Sequence, residues 1–314
     1  MRILITGSSG QIGTNLALAL LAQGHHVFGV DRRQNTWTDV FPTLLQDLGM
    51  PYRDFVGGIG GTPYPAADVV VHLAANAKVH ELVEMPHRAL ENINSTFNIL
   101  EYCRAQATPV IFASSREVYG DIHRYLTDEQ TADFAYTESP YSASKIAGES
   151  LVYAYARCYA LPYIVFRFSN VYGRYDNDIE RMERVIPLFI RELRAGRGVT
   201  VYGRDKKLDF THVDDCVDGI LGGITALHTR RIAAATINLA YGAGSTLVEM
   251  AQLVAAAVGN TNPNITVEES KRVGEVTYYV ADLRRARELL EFAPKISLAE
   301  GIRRSVAWQV EAHS

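Results

Sequence analysis

The amino-acid sequence predicts an α/β fold, a doubly wound parallel sheet with a smaller α/β C-terminal domain. Three observations indicate this fold: short apolar runs recur in the first half, helical patterns separate them, and small residues stand where the runs end. We expect strands over residues 2–6, 26–30, 68–73, 110–113 and 163–168, and one around Tyr52 to Phe55. We expect helices from about 86 to 105 and from 140 to 159, joined to the strands by right-handed crossovers.

Composition excludes several classes of function. A net charge of −4 is unlike the basic surface of nucleic-acid-binding proteins, and no apolar run reaches the length that spans a bilayer. The chain begins with a strand pattern where a signal peptide would need a longer apolar region. Cys103, Cys158 and Cys216 are widely spaced and odd in number, so we predict neither disulfides nor a metal site. We expect a cytoplasmic protein that binds a small molecule, with no nucleic-acid or membrane partner.

A glycine-rich turn follows the first apolar run. Gly7, Gly10 and Gly13 are evenly spaced, and a helical pattern comes directly after them. In a strand–turn–helix unit the first glycine permits the tight turn, the second lets backbone approach a pyrophosphate, and the third lets the helix pack on the strand. The pattern predicts a Rossmann-type dinucleotide site.

Asp31 stands at the end of the second apolar run. A carboxylate there accepts hydrogen bonds from the adenosine ribose hydroxyls. It would repel a 2′-phosphate, which favours NAD over NADP, although Arg32 and Arg33 follow it and could bind that phosphate. We therefore predict NAD as the cofactor.

Tyr141 and Lys145 are one helical turn apart near the start of a predicted helix. Residues i and i+4 share a helix face, so the hydroxyl and the ammonium can point into one pocket. A neighbouring ammonium stabilises a phenolate and lowers its pKa, which would make Tyr141 a usable base near neutral pH. Ser115 lies at the carboxyl end of a predicted strand, where we expect it to hydrogen-bond a substrate hydroxyl beside Tyr141.

Together these motifs resemble those of the extended short-chain dehydrogenase/reductase family, and within it nucleotide-sugar epimerases of the UDP-glucose 4-epimerase type. The resemblance covers essentially the whole chain. It rests on the glycine turn, Asp31, His72-Leu73-Ala74-Ala75, Ser114-Ser115 before Val118-Tyr119-Gly120, Tyr141-x-x-x-Lys145, and the segments 167–173, 209–215 and 272–275.

The resemblance implies NAD-dependent epimerisation of a nucleotide sugar through a transient 4-keto intermediate, with UDP-glucose/UDP-galactose or UDP-glucuronate as the substrate. It implies that Ser115, Tyr141 and Lys145 are catalytic. It also implies that Asp54 and Phe55 lie at the adenine. The full set of implied cofactor-binding residues is Gly7, Gly10, Gln11, Ile12, Gly13, Asp31, Arg32, Asp54, Phe55, Leu73, Ala74, Ala75, Asn92 (near the nicotinamide ribose), Tyr141, Lys145 and Phe168.

The same resemblance divides the chain into an NAD-binding domain, 1–170 with a returning segment near 209–240, and a mainly nucleotide-sugar-binding domain, 171–314. The resemblance implies that Asn170 and Arg272 contact the diphosphate, Glu275 the nucleoside ribose, and Val201 or Tyr202 the base. The other substrate-binding residues that we expect are Ser115, Arg116, Tyr141 and Tyr279. A large side chain at position 279 favours sugars without a 2-N-acetyl group. The helices 86–105 and 140–159 would pair across the axis of a homodimer.

Arg116 and Glu117 leave the outcome of the reaction open. A glutamate at the matching position takes part in the chemistry of related decarboxylases and dehydratases, so UDP-glucuronate decarboxylase or another nucleotide-sugar dehydratase stays an alternative, with Glu117 a catalytic residue. Dehydratases have an acid where Arg116 stands, and arginine cannot donate a proton at neutral pH. Arg116 could instead hold a sugar carboxylate, or simply pair with Glu117. A non-catalytic NAD(P)-binding sensor is a further alternative, but such proteins typically lack the tyrosine or the lysine.

Overall fold

The computed structural model describes residues 1–55, 64–121, 127, 129, 137–176, 184–270, 273–274 and 276–311, without the side chains of residues 53 and 55. Its strands are β1 Arg2–Thr6, β2 His26–Asp31, β3 Thr43–Leu45, β4 Val69–His72, β5 Val110–Ser115, β6 Tyr163–Phe168, β7 Asn170–Tyr172, β8 Val199–Tyr202, β9 Lys207–His212, β10 Ala234–Leu239, β11 Gly244–Thr246, β12 Ile265–Glu268 and β13 Tyr278–Tyr279.

The helices of the described residues lie between these strands and at the C-terminal end of the chain. They are α1 Gln11–Ala22, α2 Tyr52–Phe55, α3 Val79–Glu84, α4 His87–Gln106, α5 Pro140–Tyr159, α6 Val185–Arg194, α7 Val213–His228, α8 Leu247–Ala257, α9 Arg284–Leu290 and α10 Leu298–Glu311. A 3₁₀ turn, Arg116–Tyr119, follows β5. None of the described helices is both long and apolar enough to cross a membrane.

The main sheet has seven parallel strands in the order β10-β6-β5-β4-β1-β2-β3. This order is the doubly wound arrangement, with strands added outward in both directions from β1. Strands β1, β4 and β5 are almost continuously apolar because helices cover both faces of the sheet. The predicted parallel α/β sheet is confirmed. It continues one strand beyond β6, because β10 pairs along the whole of β6.

The chain contains further hydrophobic cores besides those under the main sheet. Helix α7 and strand β10 pack with β1, β4 and β6 in one core. A separate core is formed by α6, α8, β8, β9 and β13. Strand β9 pairs with β7, β11 and β13, and β8 pairs with β12. This second body of structure is the smaller α/β unit that the sequence predicts.

The strand expected around Tyr52 to Phe55 is wrong, because those residues form the short helix α2. The strand that pairs with β2 is β3, which lies earlier in the chain and has three residues. A strand of three residues at the edge of the sheet has too few positions to show an apolar pattern. The error also affects the predicted adenine site, as described below.

His72 ends β4 and is buried. Its Nδ1 lies 2.7 Å from Thr6 Oγ1, and its ring stacks on Phe112 at 5.9 Å between centroids. Burial, reinforced by the charge of Lys145, lowers the pKa of His72 to about 3. The folded protein therefore holds this imidazole neutral at every pH above that value.

This burial predicts a specific sensitivity to acid. Below pH 6.5, His72 becomes protonated in the unfolded chain but stays neutral in the folded protein. The free energy of unfolding therefore decreases as the pH falls from 6.5 to about 3. Between pH 7.5 and pH 5 the wild type should lose about 2 kcal/mol more free energy of unfolding than His72→Asn, as measured by urea denaturation. The matched control is His80→Asn, which replaces an exposed histidine and should follow the wild type. Identical losses in wild type and His72→Asn would contradict the prediction.

Candidate active site

One large cleft of about 1140 Å³ runs along the carboxyl ends of β1, β2, β4, β5 and β6. Its other wall comes from β7 and the start of α6, in the second body of structure. Ligands of doubly wound proteins bind at this edge of the sheet, where the loops that follow the strands converge. The cleft is therefore the candidate site.

The glycine turn forms the floor of one end of the cleft. Gly7 has a positive φ of 72°, and a Cβ there would lie 2.8 Å from the backbone nitrogen of Ala74. A Cβ on Gly13 would lie 2.2 Å from the carbonyl oxygen of Gly7. Gly10 caps α1 without any side-chain hydrogen bond to the first turn, so the helix N-terminus presents its own N–H groups. These residues fit the pyrophosphate of a dinucleotide.

Asp31 is buried at the end of β2 and is fixed in place by backbone groups. Its carboxylate accepts hydrogen bonds from the backbone N–H of Ser9 at 2.9 Å and of Arg33 at 3.0 Å. Arg32 is exposed and also lines the cleft. The carboxylate therefore stands next to the glycine turn, at the sequence spacing typical of an acidic residue that binds the adenosine ribose.

The predicted adenine contacts, Asp54 and Phe55, are not supported. Asp54 is exposed on α2, and the side chain of Phe55 is outside the described part of the structure. Asp47 and Leu48, which follow β3, line the cleft instead. The role of Asp54 and Phe55 at the adenine therefore stays a prediction, made from a segment that is a short helix and not the strand expected there.

Tyr141, Lys145 and Ser115 are brought together as predicted. Tyr141 lies in the first turn of α5, which begins with a capping box between Ser139 and Ser142 and has proline at its first position. Lys145 Nζ donates a hydrogen bond to the carbonyl oxygen of Ala113 on β5 at 2.8 Å. The Nζ atom is 5.9 Å from the centre of the Tyr141 ring. All three side chains are buried, and all three line the cleft.

The acid–base properties of this group differ from the sequence-based expectation. Burial raises the pKa of Tyr141 to about 12, although a hydrogen bond with Ser115 opposes the shift. Burial also lowers the pKa of Lys145 to about 8, against the charge of Glu149. In the protein by itself, desolvation outweighs the neighbouring charges, so the lowering of the tyrosine pKa by the lysine stays a prediction for the enzyme with its cofactor bound.

Asn92 connects three parts of the cleft wall. Its Oδ1 accepts a hydrogen bond from the backbone N–H of Asn76 at 2.7 Å, and its Nδ2 donates to Ser144 Oγ at 3.0 Å. It thereby links α4 to α5 and to the loop that follows β4. The other predicted cofactor-binding residues that line the cleft are Gln11, Ile12, Leu73, Ala74, Ala75 and Phe168.

Of the predicted nucleotide-sugar contacts, fewer lie in the described cleft wall. Asn170 lines the cleft and donates a hydrogen bond to the carbonyl oxygen of Asp209 at 2.9 Å. Among the described residues the cleft wall includes neither Val201, Tyr202 nor Tyr279. Val201 and Tyr279 are buried in the second core, where the Tyr279 ring stacks on Tyr119. Motif matching gives the position of a residue but not the direction of its side chain. Arg272 and Glu275 lie outside the described residues.

Arg184 and Asp176 are cleft residues that sequence reasoning missed. Arg184 Nη1 donates to Gln11 Oε1 at 2.9 Å, and its Nε lies 3.3 Å from Asp176 Oδ1. Burial raises the pKa of Asp176 to about 7, against the charge of Arg184. No motif marks these residues. A lone arginine just before the apolar start of α6 was the only available signal.

Three aromatic rings bridge the two bodies of structure at the cleft rim. Trp37, Tyr175 and Trp308 contact one another with centroid separations of 5.4 to 5.6 Å. Trp37 and Tyr175 line the cleft, and Tyr175 has the positive φ of 60°. Asn35, which accepts from the backbone N–H of Trp37, also donates to the carbonyl oxygen of Ser8 in the glycine turn. The rim is thereby tied to the floor of the cleft.

Arg116 and Glu117 form an ion pair at the cleft wall, with 2.9 Å between Arg116 Nη2 and Glu117 Oε1. The pairing that the sequence left as one alternative is therefore present. The guanidinium is not fully used by it, because Arg116 Nη1 is buried and makes no hydrogen bond within the described structure.

Comparison with known proteins identifies the family. The model of the NAD dependent epimerase/dehydratase family matches residues 3–238. A UDP-glucose 4-epimerase of Mycolicibacterium smegmatis is 32% identical over 98% of this chain and 97% of its own length. The structure of a Thermotoga maritima UDP-glucose 4-epimerase with UDP-glucose has a TM-score of 0.86 and 26% identity, covering 100% of both chains. MoeE5 in complex with UDP-glucose and NAD has a TM-score of 0.85 and 28% identity, also over 100% of both chains.

The matched range contains the glycine turn, Asp31, Ser115, Tyr141 and Lys145. The nicotinamide cofactor predicted from the sequence, NAD, is the one that the family description names. The family predicted from the motifs is confirmed: this chain belongs to the NAD-dependent epimerase/dehydratase family.

Proposed function

We propose that the protein is an NAD-dependent 4-epimerase of a UDP-linked hexose. The observation that carries the proposal is that buried Tyr141, Ser115 and Lys145 share one continuous cleft with the glycine turn and Asp31. A hydride acceptor and an acid–base group can therefore meet at one sugar carbon. The similarity to a structure with UDP-glucose, and to another with UDP-glucose and NAD, supports the choice of substrate class.

The residues present fit NAD. Gly7, Gly10, Gly13 and the N-terminus of α1 would hold the pyrophosphate, and Asp31 would hold the adenosine ribose. Asp47 and Leu48 would line the adenine end, and Asn92 and Phe168 the nicotinamide end. Bound there, NAD would supply a reversible hydride acceptor for the sugar carbon. The negative charge of Asp31 disfavours a 2′-phosphate, so the proposal is for NAD.

Side chains of the protein transfer the proton of the sugar hydroxyl. Tyr141 Oη takes the proton of the C4 hydroxyl of the sugar as C4 is oxidised to a ketone. It returns the proton to the same oxygen when the ketone is reduced on its other face. Ser115 hydrogen-bonds the tyrosine hydroxyl and can share the same sugar oxygen. Lys145, held by the carbonyl of Ala113, places positive charge beside the phenol and stabilises the phenolate form. Atoms balance over the cycle, and no net oxidation of the sugar occurs.

A second candidate function is decarboxylation of UDP-glucuronate or another lyase reaction that uses Glu117. The observation in its favour is the burial of Glu117 in the cleft wall two residues after Ser115. The ion pair with Arg116 favours epimerisation, because it keeps the carboxylate engaged and epimerisation needs no further acid. Incubation with UDP-glucose, UDP-galactose and UDP-glucuronate, with products identified by NMR, distinguishes an epimer from a decarboxylated or dehydrated sugar. Products of lyase chemistry alone would refute the epimerase proposal.

We also propose a homodimer and a cytoplasmic location. Helices α4 and α5 lie side by side, and α4 exposes Leu90 with 62% of its surface accessible, which suits a helical dimer contact. Cys103, Cys158 and Cys216 are unpaired, as is usual in a reducing compartment. Size-exclusion chromatography with light scattering measures the oligomeric state.

Replacing the tyrosine tests the catalytic assignment. Tyr141→Phe should lower the epimerisation rate by roughly 10²- to 10⁴-fold, because the general acid–base group is lost. The dissociation constant for UDP should change little, since the ring and its packing remain. Tyr159→Phe, at the exposed end of the same helix, is the matched control and should keep the wild-type rate. A wild-type rate in Tyr141→Phe would refute the assignment.

Adding one methyl group to the glycine turn tests the cofactor site. In Gly13→Ala the new Cβ would overlap the carbonyl oxygen of Gly7, so the turn must shift and NAD affinity should fall at least about tenfold. The measurement is the dissociation constant for NAD by calorimetry. The control is Gly222→Ala in α7, where the nearest atom to a new Cβ is 3.9 Å away. Equal NAD affinities for the two variants would contradict the prediction.

A further inference from the structure

Glu149 is a buried carboxylate behind the catalytic group. It lies on α5 one helical turn after Lys145, as Lys145 lies one turn after Tyr141, so the three side chains share one face of the helix. All three are buried. Unlike the other two, Glu149 is not among the described residues of the cleft wall. Any effect of this carboxylate on the reaction must therefore act through a neighbour.

Lys145 and Glu149 attach α5 to consecutive residues of β5. Lys145 Nζ donates a hydrogen bond to the carbonyl oxygen of Ala113 at 2.8 Å, and Ser114 Oγ donates one to Glu149 Oε1 at 2.5 Å. Ser115, which follows on the same strand, is the catalytic serine of the proposed reaction. The ammonium and the carboxylate therefore lie side by side along one contact between helix and strand.

Further hydrogen bonds fix the carboxylate of Glu149. Arg167 on β6 donates from Nε to Oε1 at 2.9 Å and from Nη2 to Oε2 at 2.7 Å, and Tyr153 Oη donates to Oε2 at 2.8 Å. Both oxygens are thus held by donors from three directions. The negative charge of Glu149 acts on its surroundings from a fixed point.

The protonation state of Lys145 is finely balanced near neutral pH. Burial lowers the pKa of Lys145 to about 8, and the charge of Glu149 opposes this shift. The neighbouring histidine, His72 on β4, is neutral and offers no counter-charge. The other titratable and charged groups at this end of α5 are Tyr141 itself and, acting on it, Glu117, Arg184 and Arg116. Among the described residues, Glu149 is the acidic group whose charge acts on Lys145.

We propose that Glu149 is a positioning residue of the reaction, which keeps Lys145 in its ammonium form beside Tyr141. This inference rests on the proposed function, in which the ammonium stabilises the phenolate of Tyr141. A neutral amine would leave the phenolate without a counter-charge, and Tyr141 would accept the sugar proton less readily. Arg167 contributes by holding the carboxylate of Glu149 in place.

The test follows the titration of Lys145 directly. The chain has six lysines, so ¹³C labelling of the lysine ε-carbons gives few NMR signals, and Lys145→Arg identifies the signal of Lys145. The pKa is measured in the NAD-bound protein without sugar. Glu149→Gln should lower the pKa of Lys145 by at least about one, since a buried ammonium loses its opposite charge. Tyr153→Phe is the matched control, because it removes one hydrogen bond to Glu149 and keeps the charge, and should match the wild type.

A double variant guards against a failure to fold. Glu149→Gln leaves the buried guanidinium of Arg167 without its partner, which is destabilising. Glu149→Gln/Arg167→Gln removes both charges, and the pKa of Lys145 should again be lower than in the wild type. The melting temperature of each variant shows whether it is folded. An unchanged pKa of Lys145 in the folded variants, or an equal decrease in Tyr153→Phe, would overturn the inference.

The pH dependence of the rate separates this role from a purely structural one. Because the ammonium is lost at lower pH in Glu149→Gln, the decline of kcat at alkaline pH should begin about one pH unit lower than in the wild type. The KM for the UDP-sugar should stay within about threefold, since Glu149 does not reach the cleft. A loss of kcat that is equal at every pH would assign Glu149 a structural role and overturn the inference.

The proposed function fails separately from this inference. Absence of epimerisation, together with a pKa of Lys145 that depends on Glu149, would refute the function and leave the effect of Glu149 on Lys145 standing. Epimerisation by a protein in which the pKa of Lys145 is independent of Glu149 would do the reverse.

Discussion

The hydrogen bond from Lys145 Nζ to the carbonyl oxygen of Ala113 is the contact on which the catalytic corner depends. It fixes α5 against β5, and so fixes Tyr141 on one element beside Ser115 on the other. A buried ammonium is costly unless it is hydrogen-bonded and faces other charges or rings. Here the strand carbonyl, the Phe112 ring at 5.2 Å and Glu149 one turn along provide that compensation.

Three largely buried ion pairs lie in or beside the cleft. Glu149 binds Arg167 at 2.7 Å, Asp176 binds Arg184, and Glu117 binds Arg116. Buried pairs contribute little net stability, but loss of one partner leaves an expensive unpaired charge. Such pairs therefore fix side-chain positions more than they hold the fold together. The first pair accepts a hydrogen bond from Ser114 through Glu149 and supports the catalytic strand, while the residues of the other two pairs line the cleft.

The sequence predicts features that depend on neighbouring residues better than features that depend on contacts between distant parts of the chain. The glycine turn, Asp31 and the spacing of Tyr141 and Lys145 are local patterns with a direct geometric meaning, and the structure brings them to one cleft. Asp54 is not among the described residues of the cleft wall, and the three-residue strand β3, whose following residues are, carries no readable period. Val201 and Tyr279 are likewise absent from the described wall, because the packing of the second core decides which way their side chains point. The raised pKa of Tyr141 was not foreseen from the sequence, which led us to expect a lowered one, because burial depends on the whole fold.

The aromatic contact at the rim also makes the protein spectroscopically simple. The chain has two tryptophans, Trp37 and Trp308, and both belong to the same three-ring cluster. Indole emission from the entire molecule therefore originates at a single point, where the glycine-turn side of the cleft touches the C-terminal helix. Any separation of the two bodies of structure changes the surroundings of both fluorophores together, so the native protein contains its own optical reporter of cleft opening without a label.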